Sequence, residues 1–135
     1  MLNQTQSLTK GTVLYIDDDP MNLRALQKAL NRMGYQVIEE MDAAAGVVAA
    51  QVFQPDLIIL DVRMPRMSGP EVAKILRNDD TTRHIPIIAL TADASSETRD
   101  LCLRSGYTTH LTKPIGYTSL RQTIDFLMQS LQARK

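Results

Sequence analysis

Two uninterrupted apolar stretches, Leu57-Ile58-Ile59-Leu60 and Ile85 to Leu90, set the terms for any fold of this chain. A strand that is apolar on both faces belongs in the middle of a sheet covered on both sides, where helices do the covering. Three further strand-like runs occur, Thr12 to Ile16, Gln36 to Glu40 and a weaker Thr109 to Thr112. Each run is followed by a longer segment with helical spacing. Leu23, Leu26, Leu30 and Met33 form one stripe, and Leu120, Ile124, Leu127 and Leu131 another, at the three-and-four spacing of an amphipathic helix. Such stripes read as core. Asp19 before Pro20 has the form of an N-cap followed by a first-turn proline, and Gly34 reads as the stop of the same helix. Strand alternating with helix predicts right-handed crossovers onto a parallel sheet, hence a doubly wound α/β domain. In such sheets ligands sit at the carboxyl ends of the strands, near a topological switch.

At 135 residues the chain has the size of one domain. Fifteen Lys plus Arg balance fifteen Asp plus Glu, so no global field favours nucleic acid or an anionic membrane, and charge-driven chemistry has to be local. Cys102, the one cysteine, excludes an internal disulfide framework and a cysteine-rich zinc site, fits a reducing compartment, and reads as a small core residue. No secretory signal and no apolar run of membrane-spanning length is visible, so a soluble, cytoplasmic protein is expected.

The strand ends carry the chemistry. The first run ends in Asp17-Asp18-Asp19, the third in Asp61, the fourth in Thr91-Ala92 and the fifth in Lys113-Pro114. Carboxylates brought together repel one another unless a hard cation neutralises them, and a few oxygen ligands favour Mg²⁺. A bland alternative makes Asp17 to Asp19 a capping and turn cluster, and Asp19 is assigned mainly to capping.

The runs Val13 to Pro20, Leu60 to Gly69, Leu90-Thr91-Ala92 and Thr112-Lys113-Pro114 resemble the receiver domains of bacterial response regulators, in the right order over roughly residues 11–129. The resemblance implies a flavodoxin-like, five-stranded parallel sheet of order 2-1-3-4-5 with five helices. The first ten residues, rich in Gln, Ser and Thr, read as a flexible leader (1–10), followed by a receiver domain (11–131) and a short tail (132–135). The resemblance also implies Asp61 as phosphoacceptor, with Mg²⁺ held by Asp17, Asp18, Asp61 and the backbone carbonyl of Arg63. Lys113 would present a fixed positive charge to the phosphoryl oxygens, and Thr91 a hydroxyl donor. These roles meet a physical need, because a carboxylate is a weak nucleophile toward phosphorus and the incoming oxygens are negatively charged. Met64-Pro65 and Ser68-Gly69 are read as shaping the loop after the third strand, Gly69 through a backbone geometry that a Cβ resists. Lys113-Pro114 resembles the family's cis peptide.

Two departures stand out. Three residues before Lys113, where many receivers carry a Tyr or Phe that swings inward with the neighbouring Thr, this chain has His110. An imidazole could rotate as a planar side chain and make the response pH-dependent, or it could be a half-exposed strand residue. His84 reads as surface. Arg63 and Asp93 stand at the two variable positions flanking the acceptor, where a salt bridge would shield it and prolong the phospho-state.

The resemblance implies a sensor histidine kinase or histidine phosphotransfer protein as donor. It also implies a downstream protein partner, and a protein that catalyses only its own phosphorylation and dephosphorylation. The surface of the fourth helix, fifth strand and fifth helix is the family's usual exit, with Tyr117 and Leu120 as candidates for a homodimer or partner face. With only 132–135 after the last helix, no attached effector is expected, although a piece of a hybrid kinase would look the same. Three other functions compete with this reading. An aspartate-nucleophile phosphatase wants an acid two residues after its nucleophile, where Arg63 stands; an FMN carrier wants a Ser/Thr/Gly-rich phosphate loop after the first strand. A receiver-shaped interaction module that is never phosphorylated is the third.

Overall fold

The computed structural model describes residues 9–133. The leader and tail read from the sequence lie outside those residues, apart from Thr9, Lys10 and the end of the last helix. Five strands alternate with five helices: β1 (Gly11–Ile16), α1 (Pro20–Arg32), β2 (Tyr35–Glu40), α2 (Ala43–Phe53), β3 (Leu57–Asp61), α3 (Gly69–Arg77), β4 (Ile87–Thr91), α4 (Ser96–Ser105), β5 (Thr109–Thr112) and α5 (Tyr117–Ala133). All strand pairs are parallel and the order is β2-β1-β3-β4-β5, as expected.

Side chains on a strand alternate between faces, and the two faces here bury separate clusters. Leu14, Ile16, Ile58, Leu60, Ile87 and Ala89 point to the side covered by α2, α3 and α4. Val13, Tyr15, Leu57, Ile59, Ile88 and Leu90 point to the side covered by α1 and α5, where Leu23, Leu26, Leu30, Leu120, Ile124 and Leu127 complete the cluster. The first stripe and the second as far as Leu127 are therefore core, while the side chain of Leu131 lies outside the described residues. Leu120 is 1% exposed, which corrects its candidacy for a partner face; Tyr117, one turn earlier, is surface. Cys102 is buried and His84 exposed, as read. β4 begins at Ile87 rather than Ile85, because Pro86 has no N–H for the ladder; its carbonyl still accepts from the Ile58 amide at 3.0 Å.

Local signals set the helix ends. The Asp19 carboxylate caps α1 by accepting from the Met21 amide, and Gly34 follows the cap at φ +100°. Ser68 and Glu71 form a capping box at the start of α3. The C-terminal end of α3 is tied down by Arg77. Its guanidinium donates to the carbonyls of Gly106 (2.8 Å), Arg83 (2.7 Å) and Ile85 (2.6 Å) and to Thr108 Oγ1 (3.3 Å). α2 carries no charged residue and leaves Val48, Val52 and Phe53 exposed. No helix among the described residues is long and apolar enough to cross a membrane.

Candidate functional site

After β1 the chain turns outward to β2, then returns to the other side of β1 as β3. That reversal opens a crevice at the carboxyl ends of β1 and β3, and the sequence puts Asp17 and Asp61 at those two ends. Asp61 is the last residue of β3, paired with Leu90 of β4. Asp17, Asp18, Asp19, Asn22, Asp61, Arg63, Thr91, Ala92 and Lys113 line one cleft of about 300 Å³. Of the residues placed at or beside the acceptor from the sequence, Asp93 and His110 lie outside that lining. His110 is half-buried on β5 opposite Ala89.

Asp17 is fully buried and closely held. Its Oδ2 accepts from the Tyr15 hydroxyl at 2.7 Å and the Asn22 amide at 3.4 Å, and its Oδ1 from the Asp19 backbone amide at 3.0 Å. Burial, then the bond to Asp17, pushes the Tyr15 phenol far above its ordinary range, so it stays a donor. Asp18 is exposed, and Asp61 is 5% exposed. Lys113 Nζ stands 3.0 Å from Asp61 Oδ1 and 3.9 Å from Asp17 Oδ2, and the Lys113–Pro114 bond is cis. Burial raises the Asp61 carboxyl to about 6; the Lys113 bond opposes this, and the charges of Asp17 and Asp18 add to it. Desolvation and like-charge repulsion thus outweigh one close ammonium.

One cation against three carboxylates leaves room for a second positive charge. Asp17, Asp18 and Asp61 each offer an oxygen, and these oxygens lie within 4.8 Å of one another. An all-oxygen, carboxylate-rich set fits a hard divalent ion such as Mg²⁺. Arg63 is two residues beyond Asp61, its side chain 83% exposed and its Nη2 4.0 Å from Asp93 Oδ2. That separation and exposure make a loose surface pair. No carboxylate therefore stands where an aspartate-nucleophile phosphatase keeps its acid, and the carboxylates repel the phosphate of an FMN. The Thr91 hydroxyl is committed locally. It accepts from the Asp93 amide at 3.0 Å and donates to the Asp93 carbonyl at 3.2 Å.

Gly69 is needed for a reason the sequence reading did not give. Its backbone is not left-handed, and the positive φ in this loop belongs to Arg66 at +71°. A Cβ on Gly69 would lie 2.2 Å from the Asp61 carbonyl oxygen and 2.2 Å from the Tyr107 hydroxyl, so glycine is required by close approach. Tyr107 itself, like Tyr15 and Asn22, escaped sequence reasoning. Tyr15 had a signal, since it stands two residues before Asp17 and so on the same face. Tyr107 had none, because its hydroxyl meets the Asp61 carbonyl across 46 residues of sequence.

The model of the response regulator receiver domain matches residues 13–125. The chain is 32% identical over 113 residues to the polar-differentiation response regulator DivK of Brucella anthropi, covering 84% of this chain and 92% of that protein. Chemotaxis protein CheY4 of Vibrio cholerae superposes with a TM-score of 0.82 at 31% identity, over 86% of this chain and 97% of its own. The receiver domain of sensor histidine kinase PA1611 from Pseudomonas aeruginosa, solved with magnesium in its active-site cleft, gives a TM-score of 0.83 at 29% identity, over 88% and 98%. A sheet of this order with acidic residues gathered at its switch point, matched by that family's model over most of its length, means that the chain belongs to the response regulator receiver domains of two-component signalling.

Proposed function

We propose that Asp61 accepts a phosphoryl group from a phosphohistidine, carried by a sensor histidine kinase or a histidine phosphotransfer protein, and that the acyl phosphate changes a protein-binding face. The observation that carries the reading is the setting of Asp61. It is a buried carboxylate 3.0 Å from one fixed ammonium, with oxygens of two further carboxylates, Asp17 and Asp18, within 4.8 Å. An Asp61 oxygen attacks phosphorus, the P–N bond breaks, and the imidazole leaves with the electron pair. Asp17, Asp18, Asp61 and the Arg63 carbonyl are the residues that would hold Mg²⁺, the ion in the cleft of the Pseudomonas relative. When bound, it withdraws charge from the phosphoryl oxygens. Tyr15 and Asn22 keep Asp17 oriented, so that half of the site is set in advance. Lys113 holds Asp61 before transfer and meets a phosphoryl oxygen after it. Thr91 gives up the 3.2 Å bond to the Asp93 carbonyl and donates to the same group. His110 is the planar side chain at the position from which an aromatic swings in other receivers, and its inward turn would follow Thr91.

Intact-mass spectrometry after incubation with Mg²⁺ and acetyl phosphate tests the reading. One added phosphoryl group on the parent, lost in Asp61→Ala and in chelator, is expected. No adduct on the parent, together with no binding of beryllofluoride, would overturn it in favour of an interaction module that works without phosphorylation.

A further inference from the structure

Tyr107 follows Gly106, the cap of α4, and its backbone is anchored on three sides. Its amide donates to the Cys102 carbonyl at 3.1 Å, and the next amide, Thr108, to the Ile87 carbonyl at 2.7 Å. Arg77 holds the Gly106 carbonyl at 2.8 Å. The ring is 3% exposed and its hydroxyl ends in the notch left by Gly69, so it has nowhere to swing. Burial keeps the phenol protonated, hence a donor. Among the described residues, its one partner is the backbone carbonyl of Asp61 at 3.5 Å, well beyond the roughly 2.7–2.8 Å at which O–H···O bonds are strong. A buried hydroxyl with a half-made bond to the backbone of the reactive residue is an interaction that can differ between two states of the site. Such a difference is the requirement for coupling, because a ligand shifts an equilibrium only through contacts that change.

The geometry points to Tyr107 as a positioning residue: its hydroxyl closes onto the Asp61 carbonyl when the acceptor is occupied, so that the turn between α4 and β5 responds directly to the state of Asp61. The inference rests on Asp61 being the acceptor. The path needs no swinging aromatic, which suits a chain with His110 at that position. Coupling is reciprocal, so removing the hydroxyl weakens occupation of the acceptor by about threefold to tenfold, the factor that one neutral hydrogen bond supplies.

The test compares the parent, Tyr107→Phe and Asp61→Asn by titrating beryllofluoride with Mg²⁺, following backbone amide resonances and thermal midpoints with and without the mimic. Tyr107→Phe is expected to bind about threefold to tenfold more weakly, with smaller resonance changes over residues 106–112. Its midpoint should fall more in the bound than in the free protein. Equal affinity, or an equal fall in both forms, would overturn the inference, the latter because the bond would then be a constant structural one. A parent that binds no beryllofluoride would sink the acceptor reading itself, whereas a mutant matching a binding parent sinks the Tyr107 inference alone.

Discussion

Replacing Asp61 by Asn should stabilise the metal-free protein, by an amount that the site's electrostatics set. Burial holds the Asp61 carboxyl at about 6 in the folded chain, against an ordinary value of 3.8. The folded state therefore keeps its proton to higher pH than the unfolded state, and stability falls as pH rises through the window between those values. Above the window the cost is complete. A gap of roughly two pH units at about 1.4 kcal/mol each makes the ionised carboxylate cost about 3 kcal/mol. Asn keeps the shape and removes the charge, and Lys113 retains Asp17 at 3.9 Å. In urea unfolding with chelator, the two proteins should differ little at about pH 4, while Asp61→Asn gains about 3 kcal/mol near pH 7, or roughly 10 °C in Tm for a domain of this size. A difference that stays flat with pH, or a parent more stable near pH 7, would show that the Lys113 contact outweighs desolvation and refute the account.

Lys113→Ala removes the one ammonium at the acceptor and should slow phosphorylation by acetyl phosphate by about a hundredfold or more, read as adduct formed against time. Gly69→Ala drives a methyl group against the Asp61 carbonyl and the Tyr107 hydroxyl, and should cost at least about 3 kcal/mol in denaturant unfolding. Ser68→Ala breaks the capping box of α3 and should cost about 1 kcal/mol, with the cleft chemistry intact. Arg63→Ala should leave stability within about 0.5 kcal/mol, given the loose pair it makes with Asp93. It should nevertheless shorten the acyl-phosphate lifetime, and an unchanged lifetime would remove the shielding role.

Most of the fold was legible because its determinants are local. The apolar runs of β3 and β4 have no polar face to offer solvent, and Asp19, Pro20 and Gly34 mark the ends of α1 within their own neighbourhoods. The cleft was legible for a related reason: strand ends in a doubly wound sheet converge, so residues far apart in sequence can be grouped once the strands are found. What failed depended on depth or distance. Leu120 reads both as core stripe and as partner face, and only its burial in the cluster on the α1 and α5 side of the sheet decides between them. The Thr91 hydroxyl looks free in sequence but is occupied by the turn two residues on. Gly69 was explained by backbone conformation when the close approach of the Asp61 carbonyl, and of a tyrosine 38 positions later that no local pattern reveals, was the cause.

Arg77 has a consequence for how this molecule breathes. One guanidinium closes the loop before β4 and the turn before β5, stretches separated by some twenty residues, onto the end of α3. Neither stretch can detach without freeing part of a guanidinium that the other stretch also holds in place. In amide hydrogen exchange the two should gain and lose protection together, as one opening unit with a single free energy, rather than as two loops fraying independently.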